Sequence, residues 1–275
     1  MIRERIESVL NERVEGPVLG TGLIRTVSGN TYFLKMGSAS AAFLCEANGL
    51  RELAKSGEIR TVRMVSAGED YILTEYLQSR PPKEGFFEKF GRQLARMHRY
   101  TGEKFGFFED NFIGKNPQPN IPIGEEAMDW TAFFWNKRLL FQYRLAEKNG
   151  CASAVLSRAF VRLEAKIGTF FAGSEEPPAL LHGDLWAGNF LCDGRNRAVL
   201  IDPAVYYGHR EADLVLTKLF GGFNRAFYRA YREEYPLPEG WERRENFYLL
   251  YHVMNHLNLF GTAYLRQAEY LATSF

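Results

Sequence analysis

The sequence predicts an α+β fold of two lobes, a small β-rich N-terminal lobe over residues 1–78 and a larger, mostly helical C-terminal lobe over residues 79–275. Three observations carry this. Strand-like runs at Tyr32-Phe33-Leu34-Lys35-Met36 and Tyr71-Ile72-Leu73-Thr74-Glu75-Tyr76-Leu77 lie early in the chain, with one helical segment between them. The stretch Gln78-Ser79-Arg80-Pro81-Pro82-Lys83-Glu84-Gly85 then shifts composition as a linker does. Beyond it, apolar residues recur mainly at helical spacing.

Taken in order, Val18-Leu19-Gly20-Thr21-Gly22-Leu23 is a Gly-x-Gly turn between apolar runs. Glycine lets a backbone approach a ligand closely, so Gly20 and Gly22 suit a loop laid over phosphates; a plain hairpin turn explains them equally well. Lys35 follows inside a strand, and Glu46 lies on the helix read over residues 41–50. A strand lysine fixed by a helix glutamate is how kinase-like folds hold the α- and β-phosphates of a nucleotide. Each residue alone also reads as a solvated surface charge. The strand that ends at the linker would form the hinge of such a fold, its backbone at Glu75, Tyr76 and Leu77 meeting the adenine edge.

In the second lobe, Phe90, Leu94 and Met97 share a face of a helix over residues 86–99, and Leu156, Phe160, Leu163, Ile167 and Phe170 repeat the pattern. The aromatic-rich stretches 223–235 and 247–251 read as packing. His252 and His256, four apart on a helix, lack both the Glu of a His-Glu-x-x-His motif and a third ligand, so they read as packed or capped histidines.

The segment that carries chemistry is residues 180–202. His182-Gly183-Asp184 with Asn189 five residues after the aspartate is the catalytic-loop spacing in which the Asp takes a hydroxyl proton and the Asn holds Mg²⁺. Phe190-Leu191-Cys192 and Ala198-Val199-Leu200-Ile201, joined through Asp193-Gly194, read as a hairpin ending on Asp202. That hairpin returns Asp202 beside Asn189, and two converging oxygen ligands suit a hard ion that bridges phosphates. His-Gly-Asp alone is a common turn; the joint spacing is what points to phosphotransfer.

Bulk properties bound the rest. At 275 residues with 46% hydrophobic content, the chain can bury two lobes around a cleft. A net charge of +1 gives no support for nucleic-acid binding. No run reaches membrane-spanning length and the N-terminus lacks a signal-peptide stretch, so a cytoplasmic location is expected. Cys45, Cys151 and Cys192 are far apart and read as reduced thiols.

A set of residues spread over nearly the whole chain resembles the fructosamine kinase (ketosamine 3-kinase) family. It comprises Gly20-Thr21-Gly22, Lys35, Glu46, Thr74 to Leu77, Phe105 to Asn120, Trp130, Arg138, His182 to Asn189 and, most specifically, Asp202-Pro203-Ala204-Val205-Tyr206-Tyr207-Gly208-His209-Arg210-Glu211-Ala212-Asp213. The resemblance implies an aminoglycoside-phosphotransferase-like enzyme that uses ATP and Mg²⁺ to phosphorylate the 3-hydroxyl of a ketosamine, free or protein-bound, after which the amine is released. It implies Asp184 as base, Asn189 and Asp202 as metal ligands, Lys35 on phosphate and Glu46 orienting it. Trp186 would lie against the sugar, or else be a buried structural aromatic. His182 would orient the loop and Asp213 brace it. The sequence departs from the family pattern in a short region between Gly20 and Lys35 and in Met36-Gly37 after the lysine.

A protein kinase would need a longer activation segment than Pro203 to Ala212 allows. The other readings are an aminoglycoside or choline kinase, whose substrates call for an acidic surface, and a non-catalytic nucleotide-binding module.

Overall fold

In the computed structural model, which describes residues 2–38 and 40–275, the first lobe is built on a four-stranded antiparallel sheet. Its elements are α1 (Ile2–Leu10), β1 (Gly22–Arg25), β2 (Thr31–Met36), α2 (Ala42–Ala54), β3 (Arg60–Thr61), β4 (Met64–Ala67) and β5 (Tyr71–Glu75), and the sheet order is β1-β2-β5-β4. Successive side chains of a strand point to opposite faces. Leu34 therefore enters a small core with Ile6, Val14, Ile24 and Leu73, while its neighbour Lys35 faces α2. That helix packs Ala47 and Leu50 against Val62, Ile72 and Val199.

The second lobe follows with α3 (Phe86–Met97), β6 (Asn111–Ile113), β7 (Asn116–Gln118) and α4 (Trp130–Phe134), which runs through a π-helical stretch (Trp135–Leu140) into α5 (Phe141–Lys148). Then come α6 (Ala154–Phe171), β8 (Ala179–Leu181), β9 (Phe190–Cys192), β10 (Ala198–Leu200), β11 (Tyr206–Gly208), α7 (Glu211–Leu216), α8 (Arg225–Glu234), α9 (Trp241–Phe260) and α10 (Leu265–Ala272). Helices α3 and α8 cross closely at Gly91, where a Cβ would lie 2.2 Å from the Phe227 carbonyl oxygen. Phe90 packs edge-on against Phe227 in the core that joins them.

Two features tie the halves together and set the position of α2. β10 forms the expected antiparallel hairpin with β9 and also pairs in parallel with the two-residue β3. Gly49 of α2 sits on Pro203 and Val205, where a Cβ would come within 3.2 Å of either side chain, and the Tyr207 hydroxyl donates to Glu52 at 2.9 Å. The segment after Asp202 thus seats the helix that carries Glu46.

The expected elements are present with shifted ends: the helix read over 41–50 runs to Ala54, and the strand read to Leu77 stops at Glu75. Among the described residues no helix is long and apolar enough to cross a membrane.

Candidate active site

Lys35, Glu46 and Asp202 meet at one point. The Lys35 Nζ lies 2.8 Å from Glu46 Oε1 and 2.5 Å from Asp202 Oδ1. Burial alone would lower the lysine pKa, but the two carboxylates outweigh it and the net shift is upward, so the ammonium stays charged. Burial pushes Glu46 up, with Lys35 partly offsetting it. Asp202 holds a positive φ of 53°, a backbone region few residues other than glycine occupy and one that recurs at functional sites.

The catalytic loop is fixed from below. The Asp213 carboxylate on α7 accepts the backbone N–H of His182 at 2.7 Å and of Gly183 at 2.8 Å. His182 donates through Nε2 to the Ile201 carbonyl at 2.9 Å, leaving its Nδ1 to accept the Asp184 N–H at 3.3 Å. Gly183 is required here: its φ is +81°, and a Cβ would lie 1.9 Å from the Ala204 carbonyl oxygen. Asn189 Nδ2 donates to the Asp184 backbone oxygen at 2.7 Å and to its Oδ2 at 2.9 Å. Burial pushes the Asp184 carboxyl up to about 7; the Asn189 hydrogen bond opposes this, and the charges of Asp202 and Asp213 add to it.

Three cavities adjoin these residues. The first, about 520 Å³, is an apolar slot lined by Phe33, Phe43, Val62, Leu77, Leu191 and Ile201, with Lys35, Glu46 and Asp202 also on its wall. Glu75 and Tyr76 line it too, but their N–H groups are taken within the sheet by the Arg63 and Thr31 carbonyls at 2.9 and 3.4 Å. The Glu75 carboxylate is held by Arg60 at 2.7 Å and by the Arg63 N–H at 2.8 Å. Gly20 and Gly22 have ordinary φ angles and open space where a Cβ would stand, and between them Thr21 Oγ1 accepts the Met36 N–H at 2.9 Å. Among the described residues no contact demands glycine at either position.

The second cavity, about 280 Å³, is lined by Lys35, Glu46, Asp184, Trp186, Asn189 and Asp202. The third, about 530 Å³, shares Asp184 and Trp186 with it and is walled on the far side by His252, Asn255, His256, Leu259, Phe260 and Tyr264. Trp186 is half-buried and leans on Gly188, where a Cβ would lie 2.4 Å from the indole. Asp184 and Trp186, together with Gly114, therefore border both spaces.

A model of the fructosamine kinase family matches residues 2–274. The chain belongs to that family. A Synechocystis protein assigned as a ketoamine kinase is 36% identical over 263 residues, covering 93% of this chain and 86% of its own length. A chloroplastic protein-ribulosamine 3-kinase of Arabidopsis thaliana is 38% identical over 235 residues, covering 83% of this chain and 70% of its own. A crystal structure assigned to the fructosamine-3-kinases, from Thermobifida fusca, superposes with a TM-score of 0.88 at 31% identity, covering 98% and 96% of the two chains. An ADP-bound aminoglycoside phosphotransferase shares the fold, with a TM-score of 0.63 at 14% identity over 99% and 96% of the chains.

This fructosamine-kinase family member is accordingly an ATP-dependent phosphotransferase. His252 and His256, expected as packed or capped residues, are packed: His252 is buried and the His256 ring stacks on Phe260 and Tyr264, and both share with Asn255 and Leu259 the stripe of α9 that faces the third cavity. Burial lowers the His252 pKa to about 3, so that ring is neutral. The stretch from Tyr206 to Glu211, within the most family-specific part of the sequence, lines neither space beside Asp184. Tyr206 lies under the Arg138 guanidinium, Arg210 pairs with Glu176 at 2.7 Å, and Glu211 pairs with Arg244 at 2.6 Å. Those residues brace the lobe.

The site also fits a divalent ion. Donation by Asn189 Nδ2 to Asp184 turns the Asn189 Oδ1 away from it, and Asp202 keeps a second carboxylate oxygen beyond the one facing Lys35. Among the described residues no cluster of three or more His, Cys, Asp or Glu could cage a metal alone. Two protein oxygens completed by phosphate and water are what Mg²⁺ prefers.

Proposed function

We propose that this chain transfers the γ-phosphoryl group of ATP to the 3-hydroxyl of a ketosamine, and that the unstable 3-phosphate then frees the amine. The observation that carries the reading is the shared wall: Asp184 and Trp186 border both the cavity holding Lys35, Asn189 and Asp202 and a second cavity large enough for a sugar. In the larger of the two, the third cavity of the site, Asp184 is the only carboxylate among the described lining residues. A polycationic aminoglycoside would find little to pair with there, whereas a sugar finds neutral imidazole, amide and aromatic groups.

This geometry supports the following residue roles. The slot beside β5 takes the adenine, with hydrogen bonds to its edge falling to Leu77 and to the carbonyls of Glu75 and Tyr76. Gly20 and Gly22 leave room for phosphates, Lys35 pairs with the α- and β-phosphates, and Glu46 holds Lys35. Asn189 and Asp202 hold Mg²⁺, which neutralises the phosphates when bound. Asp184 takes the proton of the 3-hydroxyl as that oxygen bonds to the γ-phosphorus and the bond to ADP breaks. A base with a pKa near the working pH transfers protons well in both directions. Trp186 walls the sugar. Residues 1–78 and 79–275 act as the two lobes, and the ATP supply favours the cytoplasm.

Phosphate transfer from labelled ATP across a panel of ketosamines, aminoglycosides and choline tests the proposal. Transfer to ketosamines alone is expected. Transfer to an aminoglycoside with none to any ketosamine would replace it.

A further inference from the structure

We infer that Asn255 is a specificity-determining residue that donates from Nδ2 to the C2 oxygen of the ketosamine, the oxygen next to the hydroxyl that is phosphorylated. The inference rests on the proposed acceptor cavity and deepens that reading.

The Asn255 side-chain amide has a direction fixed by its neighbours. Side-chain amides look alike from either side, so their orientation follows from the hydrogen bonds around them. Here two backbone carbonyls, which can only accept, settle the chain of donors. Asn258 Nδ2 donates to the Gln142 backbone oxygen at 2.9 Å and to Gln142 Oε1 at 2.8 Å. Gln142 therefore presents Nε2 to Asn255 Oδ1, at 3.3 Å. From the other side, Asn116 Nδ2 donates to the Asn255 backbone oxygen at 3.2 Å and to its Oδ1 at 2.8 Å. Both donors converge on Oδ1, so the amide has one orientation.

The group left over is Nδ2. Asn255 is buried, with 4% of its surface exposed, and lines the cavity that contains Asp184 and Trp186. Among the described residues no protein acceptor faces Nδ2. A donor held rigid with nothing to donate to is a ligand group, because leaving it unpaired when substrate excludes water costs free energy. The amide nitrogen only donates, so it reads an oxygen that only needs to accept. In a ketosamine the C2 carbonyl or ring oxygen meets that description and adjoins the accepting 3-hydroxyl. A hydroxyl, which both donates and accepts, is better matched by the neutral His252 on the same stripe.

The test is a cycle that removes one partner at a time. Asn255→Asp is nearly isosteric and keeps an oxygen for Asn116 and Gln142 while removing the donor. It is assayed with a ketosamine and with the analogue lacking the C2 oxygen, across a pH profile so that rates are compared on the plateau. Wild type should lose about 10- to 100-fold in kcat/KM on the analogue. The variant should lose a similar factor on the ketosamine, lose little more on the analogue, and keep the wild-type KM for ATP and the wild-type melting temperature. Equal losses by the variant on both substrates, or a parallel rise in the ATP KM, would overturn the assignment. If wild type phosphorylates no ketosamine, the proposed function itself fails, and that arm shows it separately.

Discussion

The carboxylate of Asp213 accepts the backbone N–H of Gly183 at 2.8 Å, 30 residues earlier in the chain. Its other oxygen takes the His182 N–H at 2.7 Å and faces His98 Nε2 at 3.3 Å. Although Asp213 is buried, these partners hold its pKa below the usual carboxylate value. The loop that carries Asp184 thus hangs on one buried anion. Asp213→Ala leaves three donors without their acceptor, and it should lower stability by about 3 kcal/mol in urea unfolding. The milder Asp213→Asn should lower kcat while leaving the ATP KM near wild type. An unchanged kcat in a folded Asn variant would mean that the loop keeps its shape without the charge.

Asp184→Asn should reduce turnover by about 10²- to 10⁴-fold while the protein still binds ATP. The same substitution should stabilise the fold at alkaline pH. The Asp184 pKa is raised to about 7 chiefly by burial, so the cost of its charge is present above that pH. It disappears as pH falls through about 7 toward the unfolded value. The variant's melting temperature should therefore exceed that of wild type at pH 8.5 and converge with it near pH 4.

The pH dependence of activity follows the same group. The proposed base must be ionised, so kcat/KM should fall as pH drops, with an acid limb near pH 7 set by the raised Asp184 value. A limb near pH 4 would show that the carboxylate is solvated during the reaction.

Much of this was legible in the sequence, and the reason is chemical. The proposed base, metal ligands and phosphate lysine would all have to meet one triphosphate, so His182-Gly183-Asp184, Asn189, Asp202, Lys35 and Glu46 sit at spacings that survive reading without a structure. The proposed acceptor pocket was not legible. Its wall is a stripe of α9, a helix with buried residues on most of its faces, so periodicity could not say which side faced a cavity. The orientation of Asn255 depends on Asn116 and Gln142, more than a hundred residues away in sequence. The Tyr206 to Glu211 stretch pointed to the right family although it lines neither cavity beside Asp184, because residues can be distinctive for packing. β3 has only two residues, too few for any pattern.

Asp202→Ala should abolish the Mg²⁺ dependence of ATP binding along with chemistry, because metal and triphosphate bind as a unit. Titration calorimetry with and without Mg²⁺ reads this directly. Unchanged metal dependence would reduce Asp202 to a partner of Lys35.

Trp186→Ala should raise the ketosamine KM or lower kcat, with nucleotide affinity near wild type, since the indole borders the sugar side as well as the phosphate side. A loss confined to ATP binding would place the ring's role on the nucleotide.

Transfer of phosphate to one particular hydroxyl is tested most directly by phosphorus–proton correlation NMR of the product of ATP and a ketosamine. Coupling of the new phosphate to the proton on C3, followed by release of free amine, is the predicted result. Phosphate on any other carbon, or ATP hydrolysis with no sugar phosphate formed, would contradict it.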